Sequence, residues 1–112
     1  ARAERVPVAE LRKLFGASHG QNVRGALFEL ALGDGKHWVA KRFRVEQGDR
    51  VRFEVTSAVD DAMHVHGYGH HLPLPAGAPQ TLEFTADRAG QHQLELHGST
   101  LEVGTLEVYP RS

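Results

Sequence analysis

Val45-Glu46-Gln47-Gly48-Asp49-Arg50-Val51-Arg52-Phe53-Glu54-Val55-Thr56 alternates apolar and polar side chains on either side of a Gly-Asp turn. Period two puts Val51, Phe53 and Val55 on one face and Arg52 and Glu54 on the other, the pattern of a strand with one side in a core and one in water. The same period extends outward from this stretch. Upstream, Val39, Phe43 and Val45 alternate with Lys41 between them; downstream, Leu82 and Phe84 flank Glu83, Leu94 and Leu96 flank Glu95, and Leu106 and Val108 flank Glu107. Turn residues separate these runs at Gly33-Asp34-Gly35-Lys36, Gln47-Gly48-Asp49, Asp60-Asp61, Pro73 to Pro79, Asp87-Arg88-Ala89-Gly90 and Gly98-Ser99. Short strands at this spacing, with no helix between them, predict an all-β sandwich or small barrel.

The N-terminal portion reads differently. Val8-Ala9-Glu10-Leu11-Arg12-Lys13-Leu14-Phe15 carries apolar residues at spacings of three and four, follows Pro7 and is closed by Gly16. That pattern predicts a short helix, so the expected organisation is an N-terminal arm over residues 1–24 and one β domain over residues 25–112.

With 112 residues the chain is long enough for one core. Its 13 basic and 14 acidic residues give a formal charge of -1, and the basic side chains are scattered among acidic ones. A nucleic-acid partner would require a basic excess, so none is expected. No apolar run approaches the roughly 20 residues of a membrane-spanning helix. The absence of cysteine excludes disulfides, thiolate ligands and cysteine nucleophiles.

Chemistry concentrates in Met63-His64-Val65-His66-Gly67-Tyr68-Gly69-His70-His71, which holds four of the eight histidines. Neutral imidazole is the commonest side-chain ligand for borderline transition metals. In an extended segment His64 and His66, two apart, project from the same face and form a chelating pair. The alternative is that both are polar strand-end residues bonded to nearby backbone. Alternation places Met63 opposite His64, in the core. His70 and His71, ahead of Leu72-Pro73-Leu74-Pro75, read as exposed loop residues, and His19 and His37 as surface residues. Tyr68 either closes over the histidines or fills the loop. Asp60 and Asp61 read as a solvated turn or as acceptors that fix a histidine tautomer. Ser57, Ser99 and the histidines come with no nucleophile-elbow pattern, and Ala1 stands where a histidine brace would need an N-terminal histidine, so no reaction is assigned.

The order Val45–Thr56, then Asp60-Asp61-Ala62-Met63-His64, then Ala89-Gly90-Gln91-His92, then Gly104-Thr105-Leu106-Glu107-Val108 resembles the cupredoxins over roughly residues 27 to 109. The resemblance implies a Greek-key β-sandwich, with His64 at the first copper-ligand position and His92 at an aromatic core position. It also shows a departure. The family's cysteine position falls on Leu96 and its methionine position near Glu102, and a blue centre needs the thiolate. A narrower similarity is to exported bacterial cupredoxin-like domains carrying His64-Val65-His66-Gly67-Tyr68 and Glu95-Leu96-His97 segments.

That similarity implies a periplasmic or extracellular address, with room for a membrane tether ahead of the sequence. It also implies copper handling, with a periplasmic or membrane-associated protein as a further partner. In the cupredoxin arrangement the strand ending at His97 reaches the pole bearing His64, so the implied metal ligands are His64, His66 and His97. Copper is favoured over zinc by the affinity order and by the family. The expectation is therefore a non-blue copper-binding or copper-carrying module and not an enzyme. Its rivals are a metal-free interaction module using the histidine pole and the Leu72 to Pro79 loop, and a small redox enzyme built on histidine-bound copper.

Overall fold

The computed structural model describes residues 24–111, and they form eight strands with no helix. These are β1 (Gly25–Gly33), β2 (Lys41–Glu46), β3 (Arg50–Ser57), β4 (Asp61–Val65), β5 (His70–Leu74), β6 (Gln80–Thr85), β7 (Gly90–Leu96) and β8 (Glu102–Tyr109). The expected helix over residues 8–15 lies outside the described residues. Two sheets result, one ordered β1-β3-β6 and one ordered β2-β8-β7-β4-β5. The β1–β3 and β2–β8 pairs are parallel and the others antiparallel.

The alternation read in the sequence decides which sides meet. Phe28, Phe53 and Phe84 come from the three strands of the small sheet and Phe43 from the large one; all four are buried. Their rings form a chain across the interlayer space, with centroids 5.0 Å apart for Phe28–Phe43, 5.4 Å for Phe43–Phe53 and 6.4 Å for Phe53–Phe84. Edge-to-face and offset pairs of this kind add about 0.5–1.5 kcal/mol each beyond the area they bury. Met63, Val65, Leu72, Leu74, Leu94, Leu96, Val103, Leu106 and Val108 complete the core from the large sheet.

The Gly-Asp turn explains why this dipeptide joins β2 to β3. Gly48 takes a φ of 94°, and its amide donates to the Ala86 carbonyl at 2.8 Å. Asp49 is 1 % exposed. Its carboxylate accepts the Glu46 amide at 2.9 Å and the Arg111 guanidinium at 3.0 Å, so the segment just after β8 is pinned to this turn.

Two expectations are corrected. Val39 is 69 % exposed and precedes β2, because the chain there turns to send Trp38 inward, where its indole N–H donates to the Val103 carbonyl at 2.8 Å. The stretch containing His70, His71 and Pro73 is a strand, β5, and not a loop. Leu72 and Leu74 supply its buried face, and among the described residues β5 pairs only with β4, an edge position where the missing Pro73 amide costs least.

Candidate metal centre on the outer face of the large sheet

Burial of Met63 and Val65 turns His64 to the opposite, outward face of the large sheet. The ladders then decide its neighbours. His64 lies directly opposite His71 on β5 and directly opposite Glu95 on β7. The β4–β7 ladder continues past both strand ends: the His66 amide donates to the Gln93 carbonyl at 2.9 Å and the His97 amide to the Ala62 carbonyl at 2.8 Å. His66 therefore stands opposite Gln93 and His97 opposite Ala62, so they flank His64 on its two sides along the strands.

The rings follow this backbone arrangement. His97 and His66 are both roughly stacked on His64, at centroid distances of 5.1 and 6.4 Å and interplanar angles of 29° and 25°. His71 meets His64 edge-on at 4.6 Å, with its Nδ1 3.1 Å from His64 Nε2. Glu95 Oε1 lies 3.8 Å from His66 Nε2. The structure thus brings His64, His66 and His97 together on one open surface, between the strands' outward side chains and not inside a loop pole. It adds His71 and Glu95, which the sequence reading left out. Among the described residues, no three His, Cys, Asp or Glu side chains already converge on a single point as a metal ligand set.

Partial burial lowers the pKa of His64, and the neighbouring imidazoles of His71, His97 and His66 lower it further against the opposing pull of Glu95. The neutral ring, the form that ligates metal, is the favoured state. The unfolded chain then takes up this proton more readily than the folded one, so His64 makes folding less favourable as pH falls through the ordinary histidine range, near 6.5.

The segment after His64 is held by a knot of polar contacts. His92, 8 % exposed, has Nε2 2.8 Å from the Arg88 carbonyl and Nδ1 3.2 Å from the His66 carbonyl. The Tyr68 hydroxyl donates to the Arg88 carbonyl at 2.9 Å and accepts its amide at 3.0 Å, while the Arg88 guanidinium donates to the Gly67 carbonyl. Tyr68 packs its ring on Phe84 and His92 and does not lie over the histidine face. Within the His64-Val65-His66-Gly67-Tyr68 segment the two histidines face water, and the glycine and tyrosine hold the turn.

Asp61 fixes the turn that follows His97. Its carboxylate accepts the amides of Gly98 at 2.6 Å, Ala62 at 2.8 Å and Ser99 at 3.1 Å, and it touches no histidine ring nitrogen in this network. Burial alone would raise its pKa, but these hydrogen bonds outweigh it and hold the carboxyl below the ordinary aspartate range. Asp61→Ala is expected to cost about 1–2 kcal/mol, since a charge-assisted bond is discounted here by solvent exposure. Urea denaturation at neutral pH checks this. The Asp61 contribution is present above the unfolded carboxyl pKa of about 4 and is lost as pH falls through the lower folded value, so the gap between wild type and variant should close in acid.

Structural comparison finds the same sandwich fold in solved copper proteins. It overlays the multicopper oxidase Fet3p, which functions in iron import, with a TM-score of 0.61 and 17 % identity over 77 % of this chain and 24 % of that one. It overlays the copper nitrite reductase from Nitrosomonas europaea with a TM-score of 0.58 and 16 % identity, over 77 % of this chain and 42 % of the reductase. The fold is cupredoxin-like. A copper-binding protein solved in its apo form by NMR matches with a TM-score of 0.61 and 16 % identity, covering 80 % of this chain and 92 % of that protein. This cupredoxin-like domain spans well under half the length of the oxidase and reductase chains, and with no cysteine in its sequence it lacks the blue-copper thiolate. No protein-family model and no curated protein sequence matches it. Among the described residues there is no helix long and apolar enough to cross a membrane.

Proposed function

We infer that this cupredoxin-like domain is an exported, non-blue copper-binding or copper-carrying module, with the histidine face centred on His64 as its site and His64, His66 and His97 as ligands joined by His71. The observation that carries this reading is the 3.1 Å separation of His64 Nε2 and His71 Nδ1, with His97 stacked alongside. Two nitrogens bound about 2.0–2.1 Å from one ion, at angles between 90° and tetrahedral, stand about 2.8–3.4 Å apart. The pair, hydrogen-bonded to each other, has that spacing, and turning the rings aims both lone pairs at one ion in place of the shared proton; an imidazole set takes copper in preference to zinc by the general affinity order. The copper chemistry named for the structural neighbours supports the same choice. An open sheet face with an edge strand on one side suits uptake and release of an ion as cargo, in or beyond the periplasm.

Titration of metal-stripped protein with Cu(II), followed by calorimetry and visible absorption, tests the reading. His64→Ala and His97→Ala are each expected to weaken binding by about tenfold or more, equivalent to about 1.4 kcal/mol. The bound species should show only weak ligand-field absorption, without an intense thiolate band. Affinity should fall below about pH 6, as protons compete for imidazole. Wild type binding no more tightly than the double variant would sink the assignment, and an affinity indifferent to pH would point away from histidine.

A further inference from the structure

We propose that the histidine face is built for two ions side by side: an all-nitrogen site on His64 and His71 with His97 joining, and a mixed site on His66 and Glu95. The proposal rests on the copper-binding reading above and divides its ligands between two ions, with His66 set apart from His64, His71 and His97.

Register is the first ground. His66 stands opposite Gln93 and His97 opposite Ala62, so along β4 the two flanking rings are separated by four residues, about 13 Å of extended chain. His64 occupies the space between them, at 5.1 Å from one ring and 6.4 Å from the other. An ion held about 2 Å from each donor nitrogen cannot take both flanking rings while His64 keeps its partner His71.

The second ground is the donor atoms. His64 Nε2 and His71 Nδ1, 3.1 Å apart, have the spacing of neighbouring ligands of one ion. On the far side of His64, His66 Nε2 and Glu95 Oε1 are 3.8 Å apart, a gap that an ion about 2.1 Å from each spans at a wide angle. Glu95 lies directly opposite His64 and diagonal to His66, so its negative charge is close to both positions and offsets part of their mutual repulsion. The side chains of His66 and Glu95 are 55 % and 42 % exposed, which leaves the mixed position open to exchange. The imidazole-rich position is the tighter, and the mixed position is filled second.

Equilibrium dialysis and native mass spectrometry of the full chain with Cu(II), together with electron paramagnetic resonance, read the stoichiometry directly. Two ions per chain are expected, in two steps, with dipolar broadening between the spins at saturation. His66→Ala and Glu95→Gln should remove or weaken the second step by about tenfold or more and leave the first within about threefold; His71→Ala should do the reverse. All three positions are at the surface, and circular dichroism confirms that each variant folds. A single ion per chain lost equally in His66→Ala and His71→Ala would overturn the two-site arrangement while leaving copper binding intact. Failure of the wild type to bind any copper would overturn both readings.

Discussion

Gly104→Ala is expected to lower the folding free energy by about 3 kcal/mol, as a reduced urea midpoint at unchanged slope. Gly104 sits in the middle of β8, the strand that joins β2 to β7, paired with Lys41 on one side and Leu94 on the other. A methyl group there would collide with the Lys41 carbonyl oxygen and lie 2.8 Å from Cε2 of the Phe43 ring. A flexible side chain would swing away from such a clash. The Lys41 carbonyl is backbone at the start of β2, so relief requires moving the strand and with it Phe43, which is 1 % exposed and bridges the two sheets. Overpacking that only displaces side chains costs about 1–3 kcal/mol, and a backbone obstacle places this case at the upper end or beyond. Gly104→Val should be more damaging still. A variant within about 0.5 kcal/mol of wild type would mean that β2 does not lie against β8 in the stated register.

Much of the sandwich was legible because a core on one side and water on the other imprints period two on each strand. Val51, Phe53 and Val55 are all buried, as are Leu94, Leu96, Leu106 and Val108, and the Gly48-Asp49 turn lies where its chemistry put it. Strand β5 was obscured by composition. Gly67 and Gly69 before it and Pro73 within it are turn signals, and they masked the alternation of His71 and Pro73 with the buried Leu72 and Leu74. Reading that alternation would have put His71 on an outward face, though only the β4–β5 register sets it beside His64. The placement of His97 and Glu95 likewise depends on a pairing between segments some thirty residues apart, which no local pattern encodes. Sequence spacing could relate His64 to His66; the row running from His97 through His64 to His66 is a property of the ladder.

Gly67→Ala is expected to cost about 2–3 kcal/mol and to disturb one end of the histidine face while sparing the other. Gly67 has a φ of 86°, a conformation that a side chain makes unfavourable, and a Cβ there would collide with the His92 ring. That ring cannot retreat cheaply, because its two nitrogens face the Arg88 and His66 carbonyls and its plane packs against Tyr68 at 4.6 Å. Displacement of His92 therefore moves the His66 main chain, and the copper step assigned to His66 and Glu95 should weaken. His64 and His71 are held by direct pairing of β4 with β5, so their step should remain. A double-mutant cycle with His92→Ala separates the two contributions to the stability loss. Removal of the ring eliminates the collision but leaves the left-handed backbone, so Gly67→Ala should cost about 1–2 kcal/mol less in the His92→Ala background than in wild type. Strict additivity would show that the penalty is backbone conformation alone, and that His92 does not brace the turn carrying His66.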